Sequence, residues 1–289
     1  MKPFRTSTAN RAIKYVALSV GLILAGLASA DESSARAAME STRNPLVQIT
    51  TTEGNIYIEL LPAEAPQNVA NFLAFAAGEV EIFDSESGQL FSPNYYDGMI
   101  FHRIMPDFLI QAGSPLVNVF GAPAETLNDE INAIALGLDL MPAVLSDGSF
   151  NPILQIGDRE ELEETVLLPL YRSMNISSNA QVTQRQFEID ERLRTMSVME
   201  VYENLGYRYT EGFNTRTIGR GTVGLANSGP NSNGPEFFIA VNQAEWLNGR
   251  YTVIGRVVEG MDVVDSINQK PTDPSARVRR ALIYRIREL

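Results

Sequence analysis

The chain has 289 residues, room for one large domain or two modest ones, and its 44% hydrophobic and 20% charged residues are those of a globular protein rather than a disordered tail or a membrane bundle. A formal net charge of −12 makes nucleic-acid phosphates and anionic lipid headgroups poor partners. Cysteine is absent and His102 is the one histidine, which excludes disulfides, thiolate metal sites, a cysteine nucleophile and a metal site built on several histidines; a Ser-His-Asp triad would have to use His102.

Residues 1–30 read as a targeting segment. Lys2, Arg5, Arg11 and Lys14 precede an apolar run from Tyr15 to Leu27, and Ala28-Ser29-Ala30 follows. That order fits a secretory signal peptide cleaved after Ala30, and implies a periplasmic or secreted product. The alternative, a transmembrane anchor, would need about 20 apolar residues, so no stable membrane span is expected once the signal is removed. Residues 31–45 are small and polar and read as a flexible leader.

From Leu46 the pattern is β. Val47 and Ile49 alternate, Glu53-Gly54 marks a turn, and Ile56, Ile58 and Leu60 alternate again, the mark of a hairpin. Pro66 then opens a helix whose apolar face is Val69, Phe72, Leu73 and Ala76, with Gly78 as its stop. Residues 79–95 read as an acidic surface loop. Two strands are expected around the Pro106-Asp107 turn, from Met99 to Ile104 and from Phe108 to Gln111.

Residues 132–210 differ in character. Asp158-Arg159-Glu160-Glu161, Thr183…Gln186 and Ser197…Glu200 look like helix starts with capping carboxylates or amides. Phe187, Leu193, Val201, Tyr202 and Leu205 supply apolar faces, and Gly206 a stop. The segment reads as a mostly helical insertion within a domain spanning 46–289. Strands resume at Gly221, at Phe237 to Val241 and at Tyr251 to Val258. A short helix carries Val263, Val264 and Ile267, and a last strand surrounds Ile283. Gly219-Arg220-Gly221-Thr222-Val223-Gly224 matches G-x-G-x-x-G formally but opens a strand, so it lacks phosphate-binding geometry.

Two blocks carry the functional reading. One runs Phe101-His102-Arg103-Ile104-Met105-Pro106-Asp107-Phe108-Leu109-Ile110-Gln111-Ala112-Gly113. The other runs from Gly221 through Gly224-Leu225-Ala226-Asn227-Ser228-Gly229-Pro230-Asn231 and Gly234-Pro235-Glu236-Phe237-Phe238-Ile239 to Glu245-Trp246-Leu247-Asn248-Gly249-Arg250-Tyr251. Together they resemble the cyclophilin family of peptidyl-prolyl cis–trans isomerases, over about 46–131 and 212–288. The resemblance implies a mainly β fold: a closed antiparallel eight-stranded cyclophilin-like barrel capped by two helices, here with the helical insertion at about 132–210.

It also implies rotation of Xaa-Pro peptide bonds in proline-containing polypeptides. The amide barrier is about 18–20 kcal/mol, because nitrogen shares its lone pair with the carbonyl. No bond breaks, so no nucleophile, metal or cofactor is required; the task is to bind the twisted amide better than either planar form. Arg103 matches the family's catalytic arginine, a fixed cation that can donate to the pyramidal proline nitrogen. Phe108, Leu109, Phe238 and Leu247 match the apolar cup around the proline ring, and Trp246 its rim. Gln111 matches the residue that holds the arginine and the substrate backbone. Ala226 and Asn227 match the edge that binds the preceding residues.

Three departures matter: Tyr251, where many members have histidine; Glu236, where glutamine is common; and Pro235 just before it, which stiffens that strand entry. Glu236 is thus a candidate modulator that could tether or partly neutralise Arg103. His102 reads as structural, since strand alternation puts it opposite Arg103. A second reading is a cyclophilin-fold chaperone or binding module with weak catalysis, its insertion contacting clients or another domain.

Overall fold

The computed structural model describes residues 30–84, 88–117, 125–270 and 280–289. The targeting pattern lies outside the described residues except for Ala30. Strands β1 (Leu46–Thr51) and β2 (Gly54–Leu60) form the expected hairpin, with Thr51 opposite Gly54. Helix α2 (Pro66–Ala77) carries proline in its first turn and ends on Gly78 in the left-handed region.

Eight strands pair antiparallel. In chain order they are β1, β2, β5 (Arg103–Met105), β6 (Leu109–Ala112), β7 (Thr222–Leu225), β8 (Phe237–Ala240), β9 (Val253–Glu259) and β10 (Ile283–Glu288). Across the sheet they run β10-β1-β2-β9-β7-β8-β6-β5. The sheet is curled and open rather than a closed barrel, because β5 and β10, its two edges, do not pair as strands. Among the described residues, the chain segments at the two edges meet at an isolated bridge between Ile100 and Leu282, with Phe101 N–H donating to Ala281, Gly98 N–H to Ile283 and Ile283 N–H to Met99.

The inner face packs on α2 and on α8 (Met261–Asn268). Aromatic rings fill it: Phe237 meets Phe72 and Tyr96 edge-on at 5.5 and 5.6 Å. Such pairs add about 0.5–1.5 kcal/mol beyond their buried area.

Three local expectations change. The leader holds a helix, α1 (Glu32–Ala38), capped by Asp31, whose Ala35 packs with Leu46 and Tyr57. Its anchor is Glu59, fully buried, which accepts from the Glu40 and Ser41 N–H groups, from Asn44 and from Arg256. Polar side chains therefore do what the apolar pattern did not announce. Within the acidic loop, β3 (Ile82–Asp84) pairs with β4 (Gln89–Phe91), and Tyr95 and Tyr96 behind it are fully buried. The strand expected from Met99 to Ile104 is regular over Arg103–Met105 alone.

The insertion is a helical unit with its own core. Thr210 N–H donates to the Ile131 carbonyl at 2.8 Å, so the segment leaves and rejoins the sheet domain at one point. It contains α3 (Arg159–Leu162), a π-turn over Glu163–Leu167, α4 (Leu168–Ser173), α5 (Asn179–Gln184), α6 (Gln186–Thr195) and α7 (Val198–Leu205). Asp158 caps α3, and Ser197 with Glu200 forms a complete capping box on α7. Thr183 is no cap: Ser178 starts α5, and Thr183 back-bonds to Asn179 within it. Phe187 points outward, 82% exposed. Val166, Leu170, Ile189, Val201 and Tyr202 form the buried centre.

Candidate active site

Strand alternation separates two faces. In β6, Ile110 and Ala112 join the inner core, while Leu109 and Gln111 face the other way. In β8, Phe237 goes inward and Phe238 outward, the split that the sequence requires. Register then lines up one row: Arg103 opposite Gln111, Gln111 opposite Phe238, Phe238 opposite Gly224, and Gly224 opposite Val253. The row sets an exposed cation beside a buried aromatic ring, with an amide between them.

The apolar part is one cluster. Leu109, Phe238, Leu247 and Val253 are buried in it, and Phe108, Ala226, Trp246 and Tyr251 pack against it. Phe108 and Trp246 lie 5.4 Å apart, tilted by 33°. Tyr251 meets Phe238 edge-on at 5.7 Å. Gly224 makes the cluster possible. A Cβ there would stand 2.5 Å from Phe238 Cζ, so only glycine lets the ring lie across β7.

The polar part is a chain of side chains. Arg103 Nη1–H donates to Gln111 Oε1 at 3.3 Å. Gln111 Nε2–H in turn donates to Glu236 Oε1, and His102 Nε2 meets the same oxygen at 3.1 Å. Both bonds to Glu236 need a donor, so the bonded imidazole tautomer carries its proton on Nε2, while the buried Nδ1 has no partner among the described residues. Burial pushes the Glu236 carboxyl upward, but hydrogen bonding by His102, Gln111 and Ser114 outweighs it and holds the group below the ordinary carboxylate range.

Glu236 therefore does not tether Arg103 directly; it reaches it through Gln111. His102 lies just before β5 rather than within the strand, and joins the same polar chain through Glu236. Sequence reasoning missed this link and the part played by Gly224. The signal for Gly224 was available, since glycine inside a strand often marks a close approach.

A cleft of about 380 Å³ adjoins the row, lined among others by Gln111, Pro115, Thr126, Ala226, Asn227 and Glu236. Asn227 Nδ2–H donates to the Arg250 carbonyl at 3.0 Å, which ties the cleft to the Trp246 loop. The Ala226 N–H is already donated to the Glu236 carbonyl.

The insertion packs under that same loop. Gly249, at φ +82°, would bring a Cβ within 2.5 Å of Leu138 Cδ1 and 3.2 Å of the Tyr202 ring. Tyr209 Oη–H donates to the Gly249 carbonyl at 3.0 Å, and the Arg250 guanidinium lies over the Tyr202 ring at 5.8 Å. A second cleft, about 370 Å³, runs between Pro152 and Ile153 of the insertion and Trp246.

A curled antiparallel sheet bearing an apolar cup, with a guanidinium at its edge, is the arrangement of the cyclophilin class. A family model described as cyclophilin type peptidyl-prolyl cis-trans isomerase/CLD matches residues 46–288. The chain belongs to that family, and is a peptidyl-prolyl cis–trans isomerase acting on proline-containing peptides.

Among curated relatives, peptidyl-prolyl cis-trans isomerase B of Streptomyces anulatus is 27% identical over 228 residues, 78% of this chain and 85% of the relative. Peptidyl-prolyl cis-trans isomerase ppi1 of Schizosaccharomyces pombe is 25% identical over 234 residues, 80% and 90% of the two chains. Against peptidyl-prolyl cis-trans isomerase 9 of the same yeast, the chain spans 25% of the relative's length at 27% identity, over 82% of its own. A crystal structure of a cyclophilin type isomerase from Cryptosporidium parvum aligns with a TM-score of 0.47 at 19% identity, over 85% of this chain and 98% of the other.

Proposed function

We propose that Arg103 carries the isomerisation and that the substrates are exported polypeptides during folding. The observation that supports the mechanism is the register row, with Arg103 opposite Gln111 and Gln111 opposite Phe238 of the cup. A proline ring seated in the cup of Phe108, Leu109, Phe238 and Leu247, with Trp246 and Tyr251 at the rim, presents its nitrogen to that cation. As the amide twists, the nitrogen becomes pyramidal and accepts a hydrogen bond that neither planar form accepts, so the interaction strengthens in the transition state. Gln111 holds Arg103, and the Ala226–Asn227 edge takes the residues before the proline. No step needs proton transfer or a metal.

Export rests on the charge and apolar pattern of residues 1–30. N-terminal sequencing of the mature protein from a secreting host tests this; an intact first 30 residues would exclude it. The catalytic assignment is tested in a proline-limited peptide assay, with Arg103→Ala expected to lower kcat/KM by about 10²-fold or more. Equal rates for the two proteins would remove Arg103 from the mechanism.

The insertion supports a second reading, client contact beside catalysis, because it has its own core and forms one wall of the cleft at Trp246. Deleting 132–210 and measuring aggregation suppression separately from isomerisation tests it. Unchanged suppression would refute it.

A further inference from the structure

Glu236 lines the 380 Å³ cleft that continues from the proline cup. Its side chain is 23% exposed. The other groups lining the cleft are hydroxyls, amides, backbone and proline rings, with no arginine or lysine among the described residues. Among the described residues Glu236 forms no ion pair with an arginine or lysine, and the charge-capable group in contact with it is His102. The guanidinium of Arg103 stands on the far side of the Gln111 amide, which bonds Arg103 through Oε1 and Glu236 through Nε2.

A half-buried carboxylate in a cleft without a fixed cation is a site for a cation brought by a ligand. Gln111 and His102 hold it in place, and neither is a permanently charged side chain. The ligand that reaches it is the part of the polypeptide preceding the proline, because Ala226 borders both the cup and the cleft and Asn227 continues along the cleft. We propose that Glu236 makes this isomerase select substrates with a lysine or arginine shortly upstream of the proline. The selection rests on the isomerase reading above and adds a substrate class to it. The net charge of −12 favours approach of such basic segments. Holding Glu236 below the ordinary carboxylate range keeps the charge present in mildly acid surroundings.

The test uses peptides carrying lysine, glutamine or glutamate at either of the two positions before the proline. Both the isomerisation rate and the dissociation constant are measured, at low and at high salt. The wild type is expected to favour the lysine peptide over the glutamine peptide by about two- to fivefold in one of the two positions, less at high salt, and to disfavour the glutamate peptide. In Glu236→Gln the lysine and glutamine peptides should converge, and in Glu236→Lys the order should reverse. Ratios between peptides are read, so a lower absolute rate in either variant does not matter. Equal treatment of lysine and glutamine peptides by the wild type, or a preference that survives in Glu236→Gln, overturns the selection while the isomerase reading stands. A lysine preference in binding with no turnover of any peptide would uphold the selection and sink the isomerase reading.

Discussion

Replacing Gly224 with alanine tests the construction of the cup. The added Cβ would lie 2.5 Å from Phe238 Cζ and 2.8 Å from Cε1, well inside van der Waals contact. Gly224 itself does not occupy the left-handed region, so the cost is steric. The ring cannot swing aside freely. It is 2% exposed, packs with Leu109, Leu247 and Val253, and is held edge-on by Tyr251 at 5.7 Å. Overpacking of this kind costs about 1–3 kcal/mol of stability. The displaced ring is the surface on which proline is proposed to sit, so a similar loss of transition-state binding gives roughly tenfold or more in kcat/KM. Urea unfolding and a peptide isomerisation assay measure the two losses. Phe238→Leu added to Gly224→Ala shortens the clashing side chain, so the double variant should be more stable than the sum of the single changes predicts. Additive stabilities together with a wild-type kcat/KM would show that the ring and Gly224 do not constrain each other.

Glu236, lowered by its hydrogen bonds, should hold Gln111 from neutral pH down past the unfolded carboxylate value of about 4.3. That contribution is present above the unfolded value and is lost as pH falls through the depressed folded one. The difference in kcat/KM between wild type and Glu236→Gln should therefore stay constant from pH 7 to about 5 and narrow only in stronger acid. Glu59→Gln removes the buried charge facing Arg256, which keeps Glu40, and should loosen α1 at a cost of about 1.5–3 kcal/mol; hydrogen exchange over residues 31–45 would show it. Glu59 is lowered too: burial pushes it up, but bonds from Glu40, Asn44 and Ser41 outweigh that, so wild-type α1 should also loosen first on strong acidification. Tyr202→Ala deletes a fully buried ring, should cost about 3–5 kcal/mol, and should raise KM by loosening the 245–251 loop, while β-sheet circular dichroism stays unchanged.

How much of this was legible depends on the kind of signal. The β1–β2 hairpin, α2 and its glycine stop were readable because apolar spacing and one turn residue decide them locally. The separation of Phe237 from Phe238 follows from the period of a strand. The cup residues were readable only through the paired blocks, since nothing local says that Leu247 and Leu109 meet. Helix α1 was missed because a buried carboxylate and backbone N–H groups fix it, and polar composition reads as solvent exposure. Thr183 was misread because Ser178 offers a cap five residues earlier, and the first helix formed absorbs the second signal. The open sheet edge depends on how far the strands curl, which no periodicity encodes.

The four-residue polar chain makes physical sense for a reaction without bond breaking. Arg103 is exposed, and a free arginine side chain has about 2 kcal/mol of rotamer entropy to lose on engaging a substrate. Its one hydrogen bond among the described residues goes to Gln111, whose amide could turn over and offer Nε2–H, a donor, to a cation that needs an acceptor. Glu236 forbids that flip, because a carboxylate accepts only from the Nε2 end. His102, donating to the same oxygen, keeps the carboxylate from following Gln111 if it shifts. His102, just before β5, thus bears on the guanidinium direction through Glu236 and Gln111, while Gln111 bonds Arg103 directly. A neutral glutamine at 236 could present either end to Gln111, and the direction would be decided less firmly.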